Sequence, residues 1–407
     1  MKISGIWKKY SVSLLAILMI VILIFLPTGY EDAAIYEGTD RVRVKVLETD
    51  ESTVISTGLI QSGEQRCKVE ILDGLFKGQT AEATNMLNGS LEQDKIYEVG
   101  DISHVVISYD GDGILSIIMS DHYRLDKELL LAGIFVVLLI LFAGKTGLRA
   151  VFAFAITILM IWKIMVPAYL RGMNPIWVGL GITTFLTFMV ILLVYGYARR
   201  TLAAVSGAML GMLVTCVLGI FFTDLFKIHG AVMPYSESLL YAGYQDLNLT
   251  QIFMSGIFIG ASGAMIDLAV DITSAVHEVV GKKPDISWKE ASISGMNVGR
   301  AAMGTMTTTL LLAYSGGYIA LLMVFMAQGT PLTNILNYKY VAAEILDTII
   351  GSIGLVTVAP FTALTSGLLL TRRHRKAEAS VSVSEETVSP IQEIPSNPVL
   401  EGEKAVD

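Results

Sequence analysis

Long apolar stretches alternate with short polar segments along most of this chain. Eight of them approach or exceed the length of about 20 residues that an α-helix needs to cross a bilayer. They occupy residues 10–27, 128–144, 147–166, 175–197, 201–223, 250–275, 301–327 and 343–370. The pattern predicts a mainly α-helical polytopic membrane protein with about eight transmembrane helices.

A polar region of about 95 residues, 30–126, separates the first two apolar stretches. Val42, Val44 and Val46 alternate there with polar residues, which is the period of a half-buried β-strand. Further candidate strands cover residues 53–59, 65–72, 78–84, 96–108 and 114–120. Five or six short strands in this length predict a small closed β-barrel of the OB or SH3 type. The Asp-Gly-Asp-Gly segment at 110–113 fits a hairpin turn better than a calcium loop, because no distal Glu follows it.

The distribution of lysine and arginine predicts the orientation, because basic residues accumulate at cytoplasmic span ends. With the N-terminus inside, the cytoplasmic ends carry Lys8-Lys9, Arg199-Arg200, Lys282-Lys283 and the basic cluster at 372–376. The β-rich region is then extracytoplasmic, both termini are cytoplasmic, and we expect a multi-pass plasma-membrane protein. The first stretch is interpreted as an uncleaved signal-anchor, the alternative being a cleaved signal peptide.

Four regions follow from this topology. Residues 1–29 form the signal-anchor helix and 30–127 the extracytoplasmic β-rich domain. Residues 128–371 form a seven-helix membrane domain, and 372–407 are predicted to be a disordered cytoplasmic tail, rich in Ser, Glu, Val and Pro.

The sixth apolar stretch carries small and acidic residues at steps of three and four, all within about 40° of one helix face. They are Gly256, Gly260, Gly263, Asp267, Asp271, Ser274 and Glu278. An ionised carboxylate that faces lipid near the midplane costs at least about 2.5 kcal/mol. We therefore hypothesise that Asp267 and Asp271 lie sheltered inside the helix bundle and bind a cation or a proton. The alternative is that the helix leaves the membrane near Leu268 and the acids meet cytoplasmic water.

The neighbouring stretches add polar residues to this hypothesis. Arg300 at the inner end of the seventh stretch is expected to balance the carboxylates, and Thr307 and Tyr314 to contribute to the pathway. The pair at 316–317, Gly-Gly, is either a helix break at a binding site or a close-packing site. Ser287-x-x-Glu290 is a capping box, which predicts a short surface helix over 288–295.

Two further features of the membrane region have alternative interpretations. Glu344 and Asp347 either mark the membrane interface or form the outer mouth of the same pathway. Gly207 and Gly211 form a G-x-x-x-G pattern, as do Gly256 and Gly260, and with Gly263 they are predicted to let helices pack closely.

Composition supports the membrane class and excludes others. The 407 residues are 53% hydrophobic and 16% charged, with a mean hydropathy of +0.61. There is no basic domain, so no nucleic-acid partner is expected. The lipid bilayer is the expected surrounding of the apolar helices. Cys67 lies in the polar region and Cys216 in an apolar stretch, so no disulfide is predicted. No recognised catalytic motif is present, and we expect no enzyme activity, cofactor or metal site.

Several segments resemble the YibE/F-like family of bacterial membrane proteins. They are Gly263-Ala-Met-Ile-Asp267-Leu-Ala-Val-Asp271, Gly299-Arg300-Ala-Ala-Met-Gly304-Thr-Met-Thr-Thr-Thr, Leu312-Ala-Tyr314-Ser-Gly316-Gly317, Val69-Glu-Ile-Leu-Asp-Gly, Lys77-Gly-Gln-Thr and Asp121-His-Tyr-Arg. The resemblance covers nearly the whole chain except the tail. The family pattern has an Asp after Gly299-Arg300 and an Asn in the threonine run, where this chain has Ala and Thr. The resemblance implies an integral membrane protein, often encoded in pairs, without an agreed substrate.

The sequence therefore favours an ion- or proton-coupled transporter or permease for an unknown small solute or ion. The rival hypothesis is a non-transporting membrane scaffold or sensor, whose β-domain binds an envelope ligand or a partner protein. The expected protein partner is either a second copy of the chain or a paired family member.

Overall fold

The structure is a computed structural model that describes residues 3–30 and 38–385, with side chains over 11–30 and 38–371. It divides into two compact units, Ile20–Ala155 and the combination of Met1–Met19 with Ile156–Asp407. Helix α1, Ile3–Phe25, contributes to both units.

Among the described residues, six strands precede the main helices. They are β1 (Thr39–Asp50), β2 (Ile55–Thr57), β3 (Ile60–Ile71), β4 (Thr80–Asn88), β5 (Ile102–Asp110) and β6 (Gly113–His122). Strand β1 pairs antiparallel with both β3 and β5, while β4 meets β6 in a parallel contact at Thr84 and Ile118. Five strands thereby close into a barrel, which confirms the predicted closed barrel.

Alternating valines and isoleucines fill the barrel. Val44, Val46, Val69, Val105 and Ile107 are fully buried, as the period of two predicts. Outside, Arg43 donates two hydrogen bonds to the Asp73 carboxylate, and these hold the pKa of Asp73 below its usual value. The segment at 110–113 is a hairpin turn, with Asp110 opposite Gly113 and a left-handed Gly111, as predicted.

Helix α2, Leu125–Met160, reverses direction at Gly144, where the backbone has φ 54° and ψ −126°. The rings of Phe135 and Phe154 lie 6.1 Å apart, although 19 residues of straight helix would span about 28 Å. A Cβ at Gly147 would also collide with the Leu139 carbonyl. Residues 125–143 and 145–155 therefore form an antiparallel helical hairpin.

The second unit is a helical bundle. After a π-turn at Ile161–Met165 come α3 (Val166–Leu170), α4 (Pro175–Tyr195), α5 (Arg199–Leu225), α6 (Ser236–Tyr241), α7 (Leu249–Lys282), α8 (Trp288–Ser315), α9 (Ile319–Ala327), α10 (Leu332–Asn337) and α11 (Lys339–Glu385). Helix α7 packs against α4, α5, α8 and α11. Its buried face, from Ala261 to Val280, forms much of one continuous apolar core.

Three helix boundaries bear on the predictions. The capping box of Ser287 and Glu290 is present, but the helix that it starts continues as the membrane helix α8 and is not a separate surface helix. Helix α8 ends at Ser315, and a 3-10 turn, Gly316–Tyr318, separates it from α9. Helix α11 runs to Glu385, into the predicted tail, and 386–407 lie outside the described residues.

Within the described residues, six helices are long and apolar enough to cross a membrane. They are Leu125–Leu170, Pro175–Tyr195, Arg199–Leu225, Leu249–Lys282, Trp288–Ala327 and Lys339–Thr371, with Ser11–Phe25 a shorter apolar helix. The predicted predominance of apolar helices is therefore confirmed.

Candidate functional site

A cavity of about 230 Å³ lies between α7 and the first turns of α11. We call it the acidic cavity. It is lined by Val232, Met233, Pro234, Phe253, Gly256, Ile257, Tyr318, Ala343, Glu344 and Asp347. Its polar groups are two carboxylates and a phenol, and the remaining lining is apolar.

Local structure explains why these side chains converge. Glu344 and Asp347 are one turn apart on α11, so both point to one face of that helix. Tyr318 belongs to the 3-10 turn that interrupts the membrane helix, and it faces the Glu344 carboxylate. Nothing lies within 4 Å of a Cβ position at Gly316 or Gly317. The Gly-Gly pair is thus a helix break beside a cavity and not a close-packing site.

Buried polar atoms without a hydrogen-bond partner concentrate here. Glu344 Oε1, Asp347 Oδ1 and the Tyr314 hydroxyl have none among the described residues. A buried polar group without a partner costs about 1–3 kcal/mol, and a charged group costs more. Two carboxylates one turn apart also repel each other when both are ionised. A bound cation or a shared proton would relieve both costs.

The acidic cavity adjoins the small-residue end of the predicted stripe on α7. Gly256 lines the cavity, and Gly260 leaves room for the Tyr314 hydroxyl, which would lie 2.5 Å from a Cβ at that position. Tyr314 therefore lies at the boundary between the cavity and the stripe. Tyr314, which the sequence predicted as a pathway residue, is thus close to Glu344 and Asp347.

The stripe itself is not sheltered as the sequence hypothesis assumed. Asp267, Asp271 and Ser274 are exposed in the single chain, and so are Gly256, Gly260 and Gly263. The reason is that α7 uses its other faces for packing, since Leu268, Ala269 and Ile272 are fully buried. The apolar core along α7 continues to Val280, well beyond Leu268.

Helices α4 and α8 contact α7 beside the exposed stripe. On one side, α4 contacts α7, where the Tyr195 hydroxyl hydrogen-bonds Ser274 Oγ at 2.7 Å. On the other side, α8 contacts α7 through Tyr314 at Gly260 and through Gly299 at Ile272. We call this surface, from Gly256 to Ser274 between α4 and α8, the α7 groove. Asp271 lies about 22 Å along the helix from Gly256, a large part of a hydrocarbon core of about 30 Å.

Arg300 and Thr307 have other partners than expected. The Arg300 guanidinium donates to Asn297 Oδ1 at 3.2 Å, and the ion pairs among the described residues do not join it to Asp267 or Asp271. Glu278 instead pairs with Lys282 at 2.8 Å. The Thr307 hydroxyl donates to the Met303 carbonyl of its own helix at 2.8 Å.

The predicted packing glycines fall into two groups. Gly207 and Gly211 are buried, and Cβ atoms there would collide with Thr362 and Val358 of α11. Gly256 and Gly263 have no neighbouring atom within 4 Å of a Cβ position. The α5–α11 contact thus uses its G-x-x-x-G pattern for close approach. In the α7 groove, Gly256 and Gly263 leave open space, while Gly260 makes room for Tyr314.

Sequence reasoning left Glu344 and Asp347 undecided and missed Tyr318. The available signal was the spacing of two acids one turn apart in an apolar stretch, together with a Gly-Gly pair in the preceding stretch. The sequence alone could not show that the turn with Tyr318 lies close to Glu344 and Asp347 in the folded protein.

A second cavity, of about 450 Å³, lies in the unit that contains the barrel. It is lined by Gly100, Asp101, Ile102, His122, Tyr123, Arg124, Asp126 and Lys127. His122 Nδ1 lies 3.7 Å from Asp101 Oδ2, and Arg124 pairs with Asp121 at 3.0 Å. Its cations and carboxylates are therefore mixed, which suits a polar ligand without strong net charge. Within the described part of the chain, no group of three or more His, Cys, Asp or Glu residues could hold a metal ion.

Comparison with known proteins adds a family relationship to this geometry. A family model described as YibE/F-like protein matches residues 131–372, more than half of the chain. No curated protein and no solved structure matches the chain. The matched region contains the acidic cavity and the α7 groove, so the resemblance predicted from their residues is confirmed there. The match does not include the barrel, where the resemblance stays a prediction.

Proposed function

Because the chain belongs to the YibE/F-like family, we propose that it is a plasma-membrane transporter coupled to protons or to another small cation. The coupling ion binds in the acidic cavity at Glu344 and Asp347, and the pathway continues along the α7 groove to Asp267 and Asp271. The observation that carries this proposal is the group of three unpartnered buried oxygens at the cavity.

The geometry supports a pathway because polar groups occur at both ends of the groove. The cavity acids serve one end, and Asp267, Asp271 and Ser274 serve the other. Tyr314 separates the two at Gly260, where it can close the passage in one conformation. A helix broken at Gly316 next to the ion site is a recurrent feature of secondary transporters.

The proposed topology has eight crossings. The hairpin at Gly144 divides the longest apolar helix into two segments, which with α1 and five further spans makes eight. Both termini are then cytoplasmic, and the barrel is extracytoplasmic. The order of its strands, with one parallel contact, supports the OB alternative over the SH3 alternative.

The test begins with the substrate. An untargeted measurement compares the solutes and ions that accumulate in cells with and without the protein. Each solute or ion that differs is then tested for transport by the purified protein in proteoliposomes. The double variant Glu344→Gln with Asp347→Asn should lose that flux, because the neutral amides cannot bind a cation or a proton. Asp224→Asn, an exposed acid at the end of α5, is the matched control.

The flux of the same solute or ion is also measured for the double variant Asp267→Asn with Asp271→Asn. Loss of flux in both double variants, with folding intact by size-exclusion profile and melting temperature, supports the complete pathway. Loss in the cavity variant alone removes the groove acids from the mechanism. Unchanged flux in both double variants contradicts the proposal.

A scaffold or sensor is the second candidate, because the α7 groove and the barrel cavity are both open surfaces. In that case the groove glycines seat a helix of a second copy or of a paired family member. Co-purification of a stoichiometric partner, with no solute or ion flux, would favour this function.

A further inference from the structure

A third cavity, about 450 Å³ in volume, lies where α4 gives way to the start of α5, beside the last turns of α7 and Leu370 of α11. We call it the basic pocket. It is lined by Tyr197, Ala198, Arg199, Arg200, His277, Val280, Gly281 and Leu370. Unlike the barrel cavity of equal volume, it contains no carboxylate.

Neither arginine has an acidic partner among the residues that the structure describes. The ion pairs among the described residues include neither Arg199 nor Arg200. Arg200 lies over the Tyr195 ring at 4.9 Å, which holds its guanidinium at the pocket. Two adjacent guanidinium groups that form no ion pair, in a concave site, suit an anion with several oxygens. Phosphate fits best, because each guanidinium can donate two parallel hydrogen bonds to two phosphate oxygens.

The backbone adds further donors. Helix α5 has 27 residues and begins at Arg199, and its N-cap, Ala198, offers no side-chain acceptor. The Thr201 amide donates to the Ala198 carbonyl at 3.1 Å, whereas the Arg199 and Arg200 amides have no capping side chain. The helix dipole also favours negative charge at this end.

We propose that the basic pocket binds a phosphate-bearing anion, with an anionic membrane phospholipid as its source. The lipid is favoured because the pocket lies at span ends, where basic residues beside a membrane attract anionic lipid headgroups. This site is independent of the transport proposal, since binding can be measured whether or not the protein carries a solute.

The experiment measures thermal stabilisation of the full-length protein in non-ionic detergent. It is titrated with phosphatidylglycerol, with phosphatidylcholine or with inorganic phosphate. A ligand that binds only the folded protein raises its melting temperature in a saturable way. Phosphatidylglycerol should do so and phosphatidylcholine should not. If inorganic phosphate alone gives the saturable shift, the phosphate chemistry stands and the source is a soluble compound.

The variant Arg199→Gln with Arg200→Gln should shift the phosphatidylglycerol midpoint upward by about 30-fold, or about fivefold for each arginine. Lys283→Gln with Lys289→Gln removes the same charge from exposed positions outside the pocket and should leave the midpoint within about twofold. Equal losses in the two double variants would mean general surface attraction and would overturn the site.

Ala198→Asp separates binding from folding. An aspartate at the N-cap accepts from the free amides and stabilises the helix, while its charge repels phosphate. This variant should fold at least as well as the wild type and lose the phosphatidylglycerol response. A retained response, or equal stabilisation by phosphatidylcholine, would overturn the proposal.

Discussion

Glycines serve opposite purposes on two helices of the bundle. At Gly207 the α11 backbone is so close that a Cβ would lie 2.5 Å from Thr362 Cα. At Gly263 no atom lies within 4 Å of that position. Both glycines belong to small-residue patterns with helical spacing, so spacing alone does not distinguish a packing site from an open groove.

Replacement by alanine should separate the two cases. Gly207→Ala forces apart two packed backbones and should lower the free energy of unfolding by about 1–3 kcal/mol. Gly263→Ala meets no neighbour and should raise helix stability by up to about 1 kcal/mol. Melting temperatures of the two variants in the same detergent check this, and equal effects would contradict the packing described for α5 and α11.

At the scale of the element, the reversal inside α2 converts one apolar helix into two. Gly144 has a positive φ, and side chains other than glycine rarely adopt its backbone conformation. The sequence pattern already separated residues 128–144 from 147–166, since polar Lys145 and Thr146 interrupt the apolar run. The hairpin is thus one of the elements that the pattern predicts well.

Cross-linking tests the reversal directly. Phe135→Cys with Phe154→Cys, in a background of Cys67→Ala and Cys216→Ala, should react efficiently with a short bifunctional maleimide. Leu125→Cys with Phe154→Cys is the control, because Leu125 lies about 15 Å farther along the first helix. Peptide mapping by mass spectrometry identifies the linked pair. A failed link at Phe135 and Phe154, with both thiols reactive, would mean a straight helix.

For the whole molecule, the eight-crossing topology predicts which turns face which compartment. Asp112 lies in the exposed β5–β6 turn, and Lys283 follows α7 at the predicted inner side. In the same cysteine-free background, Asp112→Cys should react with a membrane-impermeant maleimide in intact cells. Lys283→Cys should react only after permeabilisation. The reverse pattern would invert the orientation, and reaction of both in intact cells would require an even number of crossings between them instead of the proposed five.

Much of the fold follows from periodicity, and less of the candidate site does. Alternation at Val44 and Val46 identified the barrel, because a strand buries every second residue. Steps of three and four identified the stripe as one face of α7, but they could not tell whether that face is covered. Coverage depends on where α4 and α8 pack, which is a property of several segments together. For the same reason Tyr318 and Asp347, 29 residues apart in sequence, could not be joined in advance.

The packing of α7 also constrains how the molecule can change shape. Its neighbours α4, α5, α8 and α11 pack against the faces away from the exposed stripe, and the core on those faces is continuous to Val280. Sliding or turning this helix would break that whole core at once, at a cost much larger than thermal energy. If the protein transports as proposed, helix α7 would therefore stay fixed, and α4 or α8 would move against it, with the helix break at Gly316 as a hinge for α8.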